Sequence, residues 1–170
     1  MADRFTRRLP LAILSFGLGL AAILGAWGSQ IFGGYSPCKL CLEQRIPYYL
    51  GLPVLLVAIL LLGAKKSERF ARGLLVLAGL IFVVSLGLAL YHAGVEWKFW
   101  LGPADCGGGL ATTGNAGDLL SQIGQTKVVN CGEAALRVLG LSFAGWNAVV
   151  SAIIAAALLW AGFSQGVKPR

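Results

Sequence analysis

The sequence predicts an all-α membrane protein, a four-transmembrane-helix bundle with two outward loops and both termini in the cytoplasm. Three observations predict it. The 170 residues are 57% hydrophobic and only 12% charged, where soluble domains carry about 25% charged residues. The apolar residues run in long blocks instead of at amphipathic spacing, which suits lipid as the solvent. The basic residues gather in a few short segments.

Four windows are long enough to cross a hydrocarbon core of about 30 Å as helix. They cover about 9–30, 46–63, 74–93 and 146–163, and none carries Lys, Arg, Asp or Glu in its middle. The first follows Arg7 and Arg8, as a signal peptide's apolar region would. It is too long for that role and closes on no convincing cleavage site, so it is expected to be retained. Its Gly17, Ala21, Gly25 and Gly28 are spaced for close helix packing.

Charge sets direction. Arg4, Arg7, Arg8, Lys65, Lys66, Arg69, Arg72, Lys168 and Arg170 crowd the N-terminus, the 64–73 turn and the C-terminal tail. Only Lys39, Arg45, Lys98, Lys127 and Arg137 are spread over the other two loops, about 31–45 and 94–145. The basic segments therefore face the cytoplasm and the two remaining loops face out. The net charge of +7 is explained by topology; no basic stripe interleaved with aromatics points to nucleic acid. One membrane domain over 1–170 is expected.

All four cysteines, Cys38, Cys41, Cys106 and Cys131, fall in the outward loops, where disulfides form and persist. Structural zinc usually takes two close pairs. Here only Cys38-Lys-Leu-Cys41 is close, and 24 residues of Gly-rich chain separate the other two. A Cys106–Cys131 staple of the long loop is a plain structural alternative. The first pair suits a staple less well: its ring is so small that it removes little chain entropy, and such tight bonds are readily reduced and reformed. Lys39 and Arg45 favour the thiolate, and Arg45 falls one turn beyond Cys41 if both share a helix. Arginine at that position is equally at home as an interfacial anchor.

"PCKLCLEQRIPYY", "YHAGVEWKFWLGPADC" and "NCGEAALRVLGLSFAGWNAVV" resemble three segments of the DsbB-type disulfide bond formation proteins. These are the first outer loop, the exit of the third helix and the start of the fourth. The resemblance covers nearly the whole chain. It implies an inner-membrane thiol–quinone oxidoreductase whose partner is a periplasmic thioredoxin-fold protein of the DsbA type. Such a partner is strongly oxidising, at about −120 mV, so resetting it needs a membrane quinone, ubiquinone or menaquinone.

The resemblance also assigns roles. Cys106, beside Gly107, Gly108 and Gly109, would form the mixed disulfide with the partner, and Cys131 would be its redox mate. Electrons would reach Cys38–Cys41 through a transient Cys38–Cys106 link. Cys41 would be the thiolate that meets the quinone, and Arg45 would stabilise charge on the quinone oxygen. His92, Glu96 and Gln44 are further candidates for the quinone site. Two of them have plainer alternatives: a packed or interfacial histidine for His92, a water-facing side chain for Gln44. Trp97, Phe99 and Trp100 suit an interfacial belt, and "GDLLSQIGQTKVV" a short helix lying on the membrane. Two rivals remain: a disulfide-stapled four-span scaffold of the claudin type, and a quinone reductase of the vitamin-K-epoxide-reductase type. The second places its catalytic pair near its last helices, not at the opening of the second.

Overall fold

The computed structural model describes residues 2–103 and 131–164, with side chains from residue 8 onward. Five helices run through the described residues. They are α1 (Ala2–Ile31), α2 (Lys39–Glu43), α3 (Ile46–Gly63), α4 (Glu68–Glu96) and α5 (Phe143–Phe163). A two-residue ladder pairs β1 (Arg137–Val138) with β2 (Leu141–Ser142) in antiparallel register just before α5. Cys106, the glycines after it and the "GDLLSQIGQTKVV" segment lie outside the described residues.

Three of the apolar windows sit in helices that outrun them, and the window 46–63 coincides with α3. α4 starts at Glu68 and ends at Glu96, a turn or so beyond the apolar run at each end. Backbone pairing continues past the hydrocarbon level because a helix satisfies its own N–H and C=O groups there as well. Four helical stretches, Arg8–Ile31, Lys39–Gly63, Glu68–Glu96 and Phe143–Phe163, are long and apolar enough to span a membrane. This is a multi-pass, four-span helical bundle.

α4 packs on both α3 and α5, and α1 closes the bundle against α5 and α3. Leu55, Leu75, Phe82, Ile154 and Leu158 are fully buried between them. Leu14, Leu60, Leu90 and Ile153 point outward, as expected where the surroundings are lipid. Lipid is as apolar as leucine, so contact quality holds the helices together, not water exclusion. Glycines make that contact close. A Cβ on Gly162 would stand 2.5 Å from Val76 Cγ2 and 3.3 Å from the Val76 nitrogen, so α4 and α5 meet backbone to backbone there. At the same end Arg8 bonds to Glu68 and donates to the Ser164 carbonyl at 2.7 Å. Arg72 donates to the Gly162 carbonyl at 3.1 Å. These bonds tie α1, α4 and α5 at the end predicted to face the cytoplasm.

Candidate active site

The opposite end holds the chemistry. Pro37 leads into Cys38, whose extended backbone (φ −75°, ψ 172°) caps α2, and its sulfur accepts the Cys41 amide at 3.2 Å. One helical turn then brings Cys38 Sγ and Cys41 Sγ to 2.7 Å, both as free cysteines. The Cys41 thiol beside it, with the His92 ring and the Cys41 amide, lowers the Cys38 pKa to about 4, although burial pushes the other way. Cys38 is therefore the thiolate of the reduced pair, with the Cys41 S–H donating to it, where the resemblance implied the thiolate at Cys41.

α2 and α3 are separate helices. The sequence suggested one helix with Arg45 a turn beyond Cys41 on the same face; α2 instead stops at Glu43 and α3 restarts at Ile46. Pro47 is the reason, because it has no N–H to give the Glu43 carbonyl. The break sends two neighbours different ways. Arg45 turns to α1, donating to Gln30 Oε1 at 2.8 Å and to the Ala26 carbonyl at 3.3 Å, 5.5 Å over the Trp27 ring. Gln44 turns inward, toward α4 and α5.

The last turn of α4 meets Gln44 there. His92 Nδ1 lies 2.5 Å from Gln44 Nε2, and its Nε2 is 3.7 Å from Cys38 Sγ and 3.9 Å from Glu96 Oε1. Glu96 accepts a hydrogen bond from Ser142, whose hydroxyl oxygen also caps α5 by accepting the Gly145 amide at 3.1 Å. Cys131 is buried and disulfide-bonded. It packs with Cys38, Leu40 and Val95, and Cys41 lies against the same cluster. Lys98 donates to the Gly132 carbonyl at 2.7 Å, holding the Cys131 segment over the end of α4. Trp100 stacks on Tyr91 at 6.0 Å, while Trp97 and Phe99 are largely exposed.

A cavity of about 320 Å³ opens beside this cluster. Ala22, Gly25 and Ala26 of α1 and Ala144 and Val150 of α5 give it apolar walls; Cys41, Arg45, His92 and Glu96 supply its polar end. Of the candidate site residues, Cys38, Cys41, Gln44, Arg45, His92 and Glu96 all line this one space. Cys131 stands behind Cys38, and Cys106 falls outside the described residues.

Cys38, Cys41 and His92 also bring three metal-ligand atoms within 4.8 Å of one another. Zn–S bonds of about 2.3 Å in a tetrahedron hold their sulfurs about 3.7 Å apart, against 2.7 Å here. The two sulfurs stand closer together than two ligands of one zinc do.

Tyr48, Asn147, Ser151, Ser85 and Ser142 join the site without any motif that marks them in the sequence. Tyr48 donates to Asn147 Oδ1 at 2.5 Å, Asn147 Nδ2 donates to Gln44 Oε1 at 2.5 Å, and Ser85 meets Ser151 at 2.9 Å. The signal was present as uncharged polar residues in apolar windows, Asn147 and Ser151 four apart on one helix face.

The family model described as "Disulfide bond formation protein DsbB" matches residues 7–161. The chain belongs to the DsbB family. Relatives named disulfide bond formation protein B agree. One from Xanthomonas axonopodis pv. citri is 31% identical over 158 residues, 87% of this chain and 88% of the relative. One from Methylococcus capsulatus is 32% identical over 81% of this chain and 86% of its own. One from Hahella chejuensis is 32% identical over 90% and 91%. No solved structure matches the chain. DsbB-family membership makes this a disulfide-forming oxidoreductase of the membrane.

Proposed function

We propose that this DsbB-family protein reoxidises a periplasmic thioredoxin-fold dithiol oxidase of the DsbA type and delivers the electrons to a membrane quinone. The observation that carries the proposal is the cavity, where a redox-type thiol pair, a cation and an apolar trough share one wall. A quinone needs that combination: flat apolar surroundings for its ring and tail, and a positive group where charge develops on its oxygen. When bound it takes up two electrons and two protons.

The chain's own groups supply the rest. The partner's thiolate attacks Cys106 of a Cys106–Cys131 disulfide, forming a mixed disulfide and releasing Cys131 as thiolate. Cys131 attacks Cys38 of the oxidised first pair, forming Cys38–Cys131 and releasing Cys41. The partner's second thiol then displaces Cys106 and leaves oxidised. Cys106 recloses on Cys131, so Cys38 and Cys41 are both reduced and hold the electron pair. The sequence suggested Cys38–Cys106 as the transient link; the packing of Cys131 against Cys38 supports Cys131 instead. Arg45, Gln44, His92 and Glu96 bind and orient at the polar end of the cavity. The gathering of basic residues at one end of the bundle supports cytoplasmic termini, and hence cysteine loops in the periplasm of an inner-membrane protein.

The test follows quinone absorbance in purified protein given quinone and a reduced thioredoxin-fold partner. Loss of the oxidised quinone signal in step with partner oxidation is expected, abolished by Cys41→Ser. Full turnover in that variant would sink the proposal.

A further inference from the structure

We infer that Asn147 and Tyr48 are positioning residues: acting through Gln44, they fix His92 as the Nε2–H tautomer, so that the ring presents a hydrogen-bond donor to the Cys38 sulfur. The inference rests on the proposed function only for its consequence in turnover.

The polarity of one buried ladder carries it. Ser151 Oγ donates to Asn147 Oδ1 at 3.3 Å, and the Tyr48 hydroxyl donates to the same oxygen at 2.5 Å. Ser85, 2.9 Å from Ser151, supplies the hydrogen that Ser151 accepts in turn. With its oxygen facing two hydroxyls, Asn147 turns its NH₂ to Gln44 Oε1 at 2.5 Å. Gln44 then has only its own NH₂ to offer His92 Nδ1, 2.5 Å away. A ring nitrogen that accepts a hydrogen bond carries no proton, so the proton of neutral His92 sits on Nε2.

Nε2 is also the nitrogen that needs a hydrogen. It is flanked by Cys38 Sγ at 3.7 Å and Glu96 Oε1 at 3.9 Å, a sulfur and a carboxyl oxygen, each able to accept a hydrogen. Reversing the ladder would aim the Asn147 amide hydrogens at two hydroxyls. The Tyr48 proton would be left with Ser151 Oγ at 3.4 Å, and His92 would point a lone pair at Cys38. Every member is buried or partly buried, and among the described residues no buried side-chain nitrogen or oxygen lacks a partner. Buried amides are costly to leave unsatisfied, so the ladder switches as a unit or not at all.

His92 is the chain's single histidine, which makes the test direct. The full-length reduced protein, ¹⁵N-labelled at histidine and freed of any affinity tag, is placed in lipid nanodiscs without quinone or partner. Nitrogen NMR then reads which ring nitrogen bears the proton. Wild type is expected to show Nε2–H alone. Tyr48→Phe removes one oxygen and keeps the ring's packing; it and Asn147→Leu are expected to introduce an Nδ1–H population. In both, the pH midpoint of Cys38 alkylation, located by peptide mass spectrometry, rises by about one unit, which slows labelling about fivefold at pH 4. An Nδ1–H ring in wild type overturns the inference, as do wild-type tautomer and alkylation rate in both variants. The quinone assay separates the two claims: sensitivity to Cys41→Ser with an Nδ1–H ring leaves the proposed function standing and this inference fallen.

Discussion

His92 Nε2 lies 3.7 Å from the sulfur of Cys38, although 54 residues separate them. α4 delivers the ring from its last turn, and α2 delivers the sulfur as its own cap. The contact puts an imidazole beside the first sulfur of the pair. Together with the Cys41 thiol and amide, it favours the negative charge on Cys38 once the pair is reduced.

That charge sets a pH dependence. Cys38 is held down to about 4, below the ordinary thiol value of about 8.5, so its thiolate is present above pH 4 and lost only as pH falls through that value. Iodoacetamide labelling of Cys38 in the reduced protein is expected to be nearly flat between about pH 5.5 and 8, where an ordinary thiol gains more than about 100-fold. A steep rise over that window would contradict the assignment. His92→Ala is expected to move the midpoint upward.

Arg45 offers a separable prediction. Its guanidinium is anchored on Gln30 and the Ala26 carbonyl at the rim of the cavity. Arg45→Ala is expected to raise the quinone KM by more than about tenfold, the worth of a hydrogen bond to a charged group. Trapping of the partner on Cys106 should continue unchanged. Arg45→Lys keeps the charge but not the two-pronged anchor, and falls between. Loss of trapping with normal quinone KM would move the quinone away from Arg45.

The helix contact at Gly162 is tight enough to test by size. A valine there would press on Val76 and the α4 backbone, an overpacking that costs about 1–3 kcal/mol. Gly162→Val should lower the detergent unfolding midpoint, whereas Gly17→Val, where a Cβ meets nothing within 4 Å, should leave it near wild type. Equal midpoints would show that α4 and α5 do not meet as described.

Topology can be read with single cysteines introduced into a cysteine-free protein. Lys66→Cys is expected to resist a membrane-impermeant maleimide in intact cells, and Ala135→Cys to react. The opposite pattern would put the redox site in the cytoplasm.

Much of the fold was legible because lipid imposes a simple code: apolar windows of fixed length and basic residues on one side. "CKLC" and its arginine were equally legible, since spacing along one turn fixes local geometry. The separation of Cys41 from Arg45 was less so. Pro47 was visible, but where the two helices part depends on what Gln44 and Arg45 each find to bond.

The sequence by itself determined four spans, the family, the cysteine pair and the list of polar candidates, because these depend on composition, period and short-range spacing. Only the tertiary structure decided that His92 sits beside Cys38 and not among lipids, that Cys131 packs behind the pair, and that Gln44 faces inward. It alone joined Tyr48, Asn147, Ser151 and Ser85 into one ladder. Those residues come from three helices, and each helix's rotation is set by packing of glycines and core side chains against its neighbours. A hydrogen bond between helices exists only after that rotation is fixed, so no window of sequence contains it.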